Sequence, residues 1–360
     1  MGLTFLNNLA GIAGKKRGQM MSVDLGSRMT KAVLLERRGE LFALTRYALL
    51  DAPIFEKSFS PDVLAEHLKA VSEALESKTK LITLAIGVND AVVRPVELPQ
   101  MPLDEMRQVL KNNARGYFQQ DLPNRVFDCH ITLPKFSPQP AETGKTAAIP
   151  KLKVLAAGAK KDLIDDFQTA IKGAGLIPDY IVPGLIGPIN AFEMAMPEIF
   201  AKESVALVDI GFKNSSICIL HQGELVLNRV VGIGGDKLTA GLAEAMNISY
   251  AEAEGIKIGM PSEVQSALEG QVLPLGRELR ASLDFFEHQQ DRPVSHVYVS
   301  GGSTRSEFIL QMLHGGLAAE CEVWNPTTFL QLELPGQQAV EIEHVASQLT
   351  VAIGAAMAAF

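Results

Sequence analysis

Two short segments decide the fold: Val23-Asp24-Leu25-Gly26 and its near copy Val208-Asp209-Ile210-Gly211. A second pair, Gly39-Glu40-Leu41 and Gly223-Glu224-Leu225, recurs at almost the same offset. That offset is close to half of the 360 residues. A repeat at one such spacing indicates two copies of one structural unit.

Each copy predicts antiparallel strands followed by a helix. In the first copy, the β-rich runs MSVDL, KAVLLE and ELFALTRYAL are separated by glycine turns, and Ser60-Pro61 then precedes leucines at helical spacing. In the second copy, SVALVDI, SSICIL and ELVLNRVV lead to a helix that Gly234-Gly235-Asp236 begins. We therefore expect an α/β fold of two similar lobes with a cleft between them.

The region between the copies predicts an inserted α/β subdomain. It contains an amphipathic helix (Met106 to Tyr117), the strand KVLAAGA and a second helix around Phe167. The expected division is a first lobe of residues 19–86 plus 345–360, an inserted subdomain of 87–185 and a second lobe of 186–344. The proline-rich run from Pro134 to Pro150 predicts a mobile loop.

The chain ends and the overall composition exclude several classes of protein. A net charge of −8 argues against a general nucleic-acid binder. The three cysteines and seven histidines show no metal-ligand spacing. The apolar tail from His344 to Phe360 is too short for a membrane span and predicts a packed terminal helix. Residues 1–18 are expected to form a flexible arm, with a membrane- or partner-contacting amphipathic segment as the alternative.

The two Asp-x-Gly turns suit phosphate chemistry. Glycine lets backbone N–H groups approach phosphate oxygens, and an aspartate can hold the waters of a magnesium ion. A single such turn is usually an ordinary hairpin, but two in duplicated lobes would face each other across the cleft. Ser27, Lys31 and Ser215 are the expected additional phosphate contacts.

Two further segments are candidates for contacting a nucleoside. A strand beginning at His296 runs into Gly301-Gly302-Ser303, and Thr304-x-x-Glu307 predicts a capping box after it. A helix begun by the capping box Ser249-x-x-Glu252 places Glu254 and Lys257 on one face. The simpler alternatives are a common tight connection for the glycines and a surface ion pair for Glu254 and Lys257.

These segments, in this order, resemble the actin, heat-shock chaperone and sugar kinase superfamily of ATP-binding folds. VDLGSRMTK resembles the first phosphate loop, VDIGFKNSS the second, VSGGSTR the adenosine motif and VAIGAAMA the second connecting helix, in which Gly354 permits close packing. The stretch GIGGDKLTAGLAEAMNISYAEAEGIK resembles the FtsA and PilM branch. The segments RELRASLDFFEHQQDRPVSHVYVSGGS and VELPQMPLDEMRQVLKNNARGYF are similar to the PilM family of type IV pilus proteins.

The resemblance runs from about residue 20 to the end and implies an actin-like (ribonuclease H-like) fold that binds Mg-ATP between the lobes. It implies a cytoplasmic scaffold, peripheral to the bacterial inner membrane. Such a scaffold grips the cytoplasmic N-terminal peptide of a PilN-like membrane protein against the first lobe and the inserted subdomain. Contact with the pilus motor ATPase and self-association are further implied interactions.

The resemblance also assigns residues of this sequence. Asp24 and Asp209 are the expected magnesium and catalytic residues. The remaining phosphate, ribose and base contacts are expected at Gly26, Ser27, Lys31, Gly211, Ser215, Gly234, Gly235, Glu254, Lys257, Gly301, Gly302 and Ser303.

One departure from the superfamily pattern affects catalysis. Hydrolysing members carry an acid or amide on the first connecting helix that positions the attacking water. The corresponding region here, Val182 to Asn190, is apolar and broken by prolines, and Asn190 is the single polar candidate near its end. Since phosphoryl transfer depends on positioning and charge stabilisation, we expect nucleotide binding with slow turnover.

Three alternatives remain open at the level of sequence. A small-molecule kinase on the same fold needs a carboxylate base beside a polar substrate pocket, which the sequence does not display. An FtsA-like filament protein would carry a basic amphipathic C-terminal anchor, whereas no Lys or Arg follows Arg305. A relative that serves type II secretion would look almost the same.

Overall fold

The computed structural model describes residues 18–54, 59–132, 151–259, 264–317 and 319–360. The expected N-terminal arm, apart from Gly18, and the expected loop from Pro134 to Pro150 lie outside these residues. Within the described residues the strands are, in chain order, β1 (Gln19–Leu25), β2 (Met29–Arg38), β3 (Leu41–Asp51), β4 (Leu81–Ile86), β5 (Ala91–Pro99), β6 (Arg125–Ile131), β7 (Lys151–Lys160), β8 (Ile177–Pro183), β9 (Ser204–Ile210), β10 (Ser215–His221), β11 (Glu224–Val231), β12 (His296–Ser300), β13 (Glu320–Val323) and β14 (Leu330–Leu332).

The α-helices of the same described residues connect these strands. In chain order they are α1 (Pro61–Ala74), α2 (Leu103–Asn112), α3 (Ala114–Phe118), α4 (Lys161–Gly173), α5 (Ile186–Ala195), α6 (Pro197–Lys202), α7 (Gly235–Met246), α8 (Tyr250–Gly259), α9 (Gln265–Gln290), α10 (Glu307–Gly316), α11 (Gly336–Val345) and α12 (Thr350–Met357). None of these helices is long and apolar enough to cross a bilayer.

The first sheet has the strand order β14-β3-β2-β1-β4-β8. Strands β1, β2 and β3 form an antiparallel meander, and β1 also pairs in parallel with β4. Helix α1 begins as predicted at Pro61, with the Ser60 hydroxyl accepting a hydrogen bond from the Val63 N–H. Its leucines are buried because they repeat at helical spacing on the side that faces the sheet and α4.

The second sheet, in the order β11-β10-β9-β12-β13, repeats this arrangement. Strands β9, β10 and β11 form an antiparallel meander, and β9 pairs in parallel with β12. The larger apolar core joins the first sheet to one face of the second, since it includes Val205, Leu207 and Tyr298. A second core lies on the other face of the second sheet, where helices α9 and α10 pack together. The predicted duplicated α/β fold is therefore confirmed, with β1 and β9 as equivalent central strands.

The third sheet, β5-β7-β6, together with α2 and α3, has a separate small core. The helix expected from Met106 to Tyr117 is divided in two, because Asn113 leaves the helical region with φ −130° and ψ 42°. Strand β8 belongs to the first sheet rather than to the third, since it pairs with β4. Helix α4 packs beside the first sheet, against α1 and β8. The expected domain boundaries remain a prediction, but the observed third sheet and its helices end at residue 160.

Two expected capping boxes behave differently. At Ser249 the capping box is confirmed: the Glu252 N–H donates to Ser249 Oγ and the Ser249 N–H donates to the Glu252 carboxylate. At Thr304 the prediction is wrong. Thr304 lies in a 3₁₀ turn, its hydroxyl donates to the Gly301 carbonyl and contacts Ser347, and α10 begins after Ser306.

Candidate functional site

A cavity of about 450 Å³ lies where the two equivalent β-hairpins meet. One wall comes from the first loop (residues 26–28), which joins β1 to β2, and the other from the second loop (residues 211–214), which joins β9 to β10. The ends of β4 and α8 and the start of the 3₁₀ turn at Gly302 complete the lining. This volume is in the range of small-molecule sites in proteins.

An acidic cluster forms one end of the cavity. Asp24 lies near the end of β1 and Asp209 near the end of β9, so the equivalent strands present their carboxylates to the same space. Lys31 Nζ donates to Asp24 Oδ2 at 3.0 Å. Ser300 Oγ donates to Asp209 Oδ1 at 2.9 Å. The cluster therefore has two carboxylates for one ammonium group.

The pKa values in this cluster are perturbed by burial and by mutual charge. Burial raises the pKa of Asp209, and the nearby Asp24 adds to this effect, while Lys31 and the Ser300 hydroxyl oppose it. Burial alone would lower the pKa of Lys31, but attraction to Asp24 and Asp209 leaves that pKa above its usual value. An added cation at this end would relieve the repulsion between the carboxylates.

Both loops require glycine for steric reasons. A Cβ on Gly26 would lie 2.3 Å from the Met29 carbonyl oxygen, and a Cβ on Gly211 would lie 2.8 Å from the Asn214 carbonyl oxygen. Gly301 has φ +100°, a conformation that side-chain-bearing residues rarely adopt. The glycines thus permit tight turns that bring backbone groups to the cavity wall.

Another part of the cavity lining is built on α7 and α8. Glu254 Oε2 accepts hydrogen bonds from Lys257 Nζ at 2.8 Å and from the Thr239 hydroxyl at 2.5 Å. Lys257 is only 3% exposed, so this is a buried pair rather than a surface ion pair. Burial lowers the pKa of Lys257, whereas the hydrogen bonds from Lys257 and Thr239 outweigh burial at Glu254 and lower its pKa.

The structure brings most of the expected site residues together at this cavity. Eleven line it: Asp24, Gly26, Ser27, Lys31, Asp209, Gly211, Gly235, Glu254, Lys257, Gly302 and Ser303. Gly234 and Gly301 lie behind the wall, where a Cβ would meet the carbonyl oxygens of Phe212 and Ile210, respectively, at 2.5 Å. These two glycines shape the cavity without lining it.

Ser215 and Asn190 are the expected side chains that do not reach the cavity. The Ser215 hydroxyl is fully buried and donates to the Ile233 carbonyl at 2.6 Å, while its neighbour Ser216 lines the cavity instead. Adjacent residues of a strand point to opposite faces, which explains why Ser216 lines the cavity and Ser215 does not. Asn190 is 3% exposed, and its Nδ2 donates to the Gly354 carbonyl at 3.0 Å, which joins α5 to α12.

The cavity lining also includes side chains that the sequence did not predict, among them Arg28, Phe212 and Asp90. Burial raises the pKa of the Asp90 carboxyl group, against a hydrogen bond from the Gly87 N–H. Asp90 follows β4, which is parallel to β1, and the carboxyl ends of parallel strands meet at one edge of a sheet. This rule could have located Asp90, whereas no local pattern distinguishes Arg28 or Phe212.

The fold resembles that of solved structures. The superposition on a structure described as the PilM-PilN type IV pilus biogenesis complex has a TM-score of 0.79, at 21% identity, over 94% of this chain and 98% of that chain. Ethanolamine utilization protein EutJ from Carboxydothermus hydrogenoformans gives a TM-score of 0.55, at 14% identity, over 95% of this chain and 90% of that chain. At these identities the comparisons establish the fold.

The sequence also matches the cell division protein FtsA of Bacillus subtilis (strain 168). That match is 27% identical over 97 residues, which is 27% of this chain and only 21% of the FtsA sequence. The profile of the family described as type IV pilus assembly protein PilM matches a much longer stretch, residues 22–360. The resemblance predicted from the motifs is thereby confirmed, and the chain belongs to the PilM family of type IV pilus assembly proteins.

Proposed function

We propose that this chain is an ATP-binding scaffold of the type IV pilus platform that holds a peptide of a membrane partner in a nucleotide-dependent way. The observation that carries the proposal is the convergence of Asp24, Asp209 and Lys31 with Glu254 and Lys257 around one cavity. The first three suit a metal-bound phosphate chain, and the last two suit the hydroxyl groups of a ribose.

The residues present fit a magnesium ion. Mg²⁺ is usually bound by one or two carboxylates together with waters and substrate phosphates. Asp24 and Asp209 supply two carboxylates, and no set of three His, Cys, Asp or Glu side chains that would form a self-sufficient metal site occurs in the part of the chain that is described. When bound, the ion would neutralise phosphate charge. This arrangement favours a metal that enters together with the nucleotide.

The same geometry favours binding over rapid hydrolysis. Asn190, the side chain expected to position an attacking water, does not line the cavity and instead donates a hydrogen bond to the Gly354 carbonyl. A nucleotide held without a positioned water is turned over slowly. In this proposal ATP serves to stabilise one arrangement of the two lobes, since a ligand that contacts both favours the state in which both contacts are made.

The proposed partner is the cytoplasmic N-terminal peptide of a PilN-like inner-membrane protein. Membership of the PilM family and the likeness to the chain of a PilM-PilN complex support this choice. The proposed location is the cytoplasmic face of the bacterial inner membrane, where such a peptide would be accessible. Type II secretion is the related pathway that the sequence left open.

The experiment that tests the proposal is a thermal shift of the purified chain with Mg-ATP, with Mg-ADP and without nucleotide. Binding to the folded state stabilises it by about 2.7 kcal/mol at a ligand concentration one hundred times its Kd. We expect a clear shift with Mg-ATP and its loss on addition of EDTA. Failure of both nucleotides to shift the transition would overturn the nucleotide assignment.

The partner is tested separately by titrating a fluorescent PilN-like N-terminal peptide, with a scrambled peptide of equal charge as control. We expect saturable binding of the native peptide that tightens when Mg-ATP is present. Equal binding of the scrambled peptide would show non-specific adhesion and contradict the partner assignment.

A further inference from the structure

Arg28 lines the cavity and extends from the first loop to α8. Its Nη1 lies 3.2 Å from Glu254 Oε1, and its Cζ lies 5.2 Å from the centre of the Phe212 ring in the second loop. The Arg28 side chain is 44% exposed. A cationic side chain from one hairpin thus contacts both the second hairpin and the helix that carries the proposed ribose contact.

Glu254 is held in place without Arg28. Its Oε2 already accepts hydrogen bonds from Lys257 and Thr239, so Arg28 contacts the other oxygen, Oε1. Exposed ion pairs contribute little to stability, and the Arg28–Glu254 pair is easily exchanged. Release of Arg28 would leave Oε1 free to accept a hydrogen bond from another donor, such as a ribose hydroxyl.

The charges around Arg28 favour the binding of an additional anion beside it. Arg28 and Lys257 both contact Glu254, while Lys213 pairs with Asp236, which also lies close enough to act on Arg28. Three cations therefore lie beside two carboxylates here. Lys31, which also lines the cavity from the first hairpin, is already bound to Asp24 in the acidic cluster. A guanidinium group binds phosphate oxygens in a bidentate manner, which Glu254 Oε1 alone does not offer.

The backbone of Arg28 is fixed while its side chain is free to change partners. The Arg28 carbonyl oxygen accepts a hydrogen bond from the Ala52 N–H at 2.8 Å. The loop is therefore anchored to the segment that follows β3. A change of partner requires rotation of the side chain about its own bonds, without movement of the hairpin.

We propose that Arg28 determines the preference for a nucleoside triphosphate over a diphosphate, by exchanging Glu254 for the terminal phosphate and so freeing Glu254 to bind the ribose. A diphosphate lacks the third (γ) phosphate, so Arg28 stays on Glu254 and competes with the ribose hydroxyls. This inference rests on the proposed nucleotide binding and adds to it the residue that distinguishes a nucleoside triphosphate from a diphosphate.

The test is the affinity of wild type and of Arg28→Ala for Mg-ATP and Mg-ADP, measured by calorimetry. We expect wild type to prefer ATP by about tenfold, which corresponds to about 1.4 kcal/mol. In Arg28→Ala the preference should vanish, because ATP binds more weakly while ADP binds more tightly once Arg28 no longer competes with the ribose hydroxyls for Glu254. Arg28→Gln, which removes the charge but keeps a polar side chain, should behave like Arg28→Ala.

Arg305→Ala is the matched control, since Arg305 is another exposed arginine that lines the cavity. It should change both affinities by the same factor. A double variant gives a second readout: in Glu254→Gln, removal of Arg28 should no longer improve ADP binding. Equal weakening of ATP and ADP in Arg28→Ala, or an unchanged ratio, would overturn the inference. Absence of nucleotide binding in wild type would instead overturn the proposed function itself.

Discussion

Gly354 of α12 packs directly against the backbone of Gly187 in α5. A Cβ added to Gly354 would lie 1.7 Å from the Gly187 carbonyl oxygen, and a Cβ on Gly187 would lie 2.7 Å from the Val351 Cα. The two helices therefore touch through their backbones. Helix α12 also packs on β1 and β4. The crossing therefore holds α5, which connects the first sheet to the second, close to β1, the strand that carries Asp24 at the candidate site.

We expect Gly354→Ala to destabilise the protein by about 3 kcal/mol or more, because the added methyl group forces two backbones apart in a close-packed region. Urea unfolding followed by circular dichroism measures this change. Gly270→Ala is the control: Gly270 lies inside α9, and a Cβ at this position would have no neighbouring atom within 4 Å. That variant should gain up to about 1 kcal/mol from helix propensity. Similar effects of the two substitutions would contradict the packing argument.

Asn190 is expected to be a structural residue and not a catalytic one. Asn190→Ala removes the hydrogen bond to the Gly354 carbonyl and leaves that buried acceptor without this donor, which should cost about 1–3 kcal/mol of unfolding free energy. Nucleotide affinity and the rate of phosphate release should stay at the wild-type level. A loss of turnover at unchanged stability would restore the water-positioning role that the sequence predicts for this residue.

Asp209→Asn should separate nucleotide binding from stability. Burial raises the pKa of Asp209, so the folded state disfavours its charged form, and the nucleotide-free variant should be at least as stable as wild type at pH 7. Its affinity for Mg-ATP should fall by about tenfold to a hundredfold, the range for a lost charged contact. Thermal shift with and without Mg-ATP measures both effects, and Asp284→Asn on α9, where the half-exposed carboxylate pairs with Arg280, is the charge-matched control. An undiminished Mg-ATP shift would remove Asp209 from the site.

The sequence predicted the parts of the site that depend on local pattern. Duplication revealed Asp24 and Asp209, because each aspartate closes a β-rich run and is followed by a turn glycine. Helical spacing placed Glu254 and Lys257 on one face. These features follow from strand and helix periodicity, which depends only on residues close together in the sequence.

The sequence failed where a position depends on contacts between distant segments. Whether Ser215 or Ser216 faces the cavity depends on the register of β10 against β9, and a shift of one residue reverses the two. Thr304 has the spacing of a capping box, but a contact with Ser347 holds it in a 3₁₀ turn. Strand β8 joins the first sheet by pairing with β4, a long-range parallel contact that local patterns do not encode.

The charge of Glu254 should make stability pH-dependent in a defined window. Its folded-state pKa is lowered below the usual value of 4.5 by Lys257 and Thr239, which outweigh the effect of burial. A carboxyl group with a lowered pKa stabilises the fold in full above its unfolded-state pKa, and this contribution is lost as the pH falls through the folded-state pKa. Glu254→Gln should therefore destabilise the protein by about 2 kcal/mol at pH 7, because it leaves the buried Lys257 ammonium without its carboxylate. The difference from wild type should shrink below about pH 4.5.

Urea unfolding of wild type and Glu254→Gln at pH 7, 5, 4 and 3.5, without nucleotide, measures this window. Glu244→Gln, an exposed position on α7 with the same change of charge, is the matched control, and its curve should run parallel to that of wild type. Acid destabilisation from all other carboxyl groups affects wild type and variant alike, so the difference isolates Glu254. A difference that stays constant from pH 7 to pH 3.5 would mean that Glu254 acts through packing and not through its charge on Lys257.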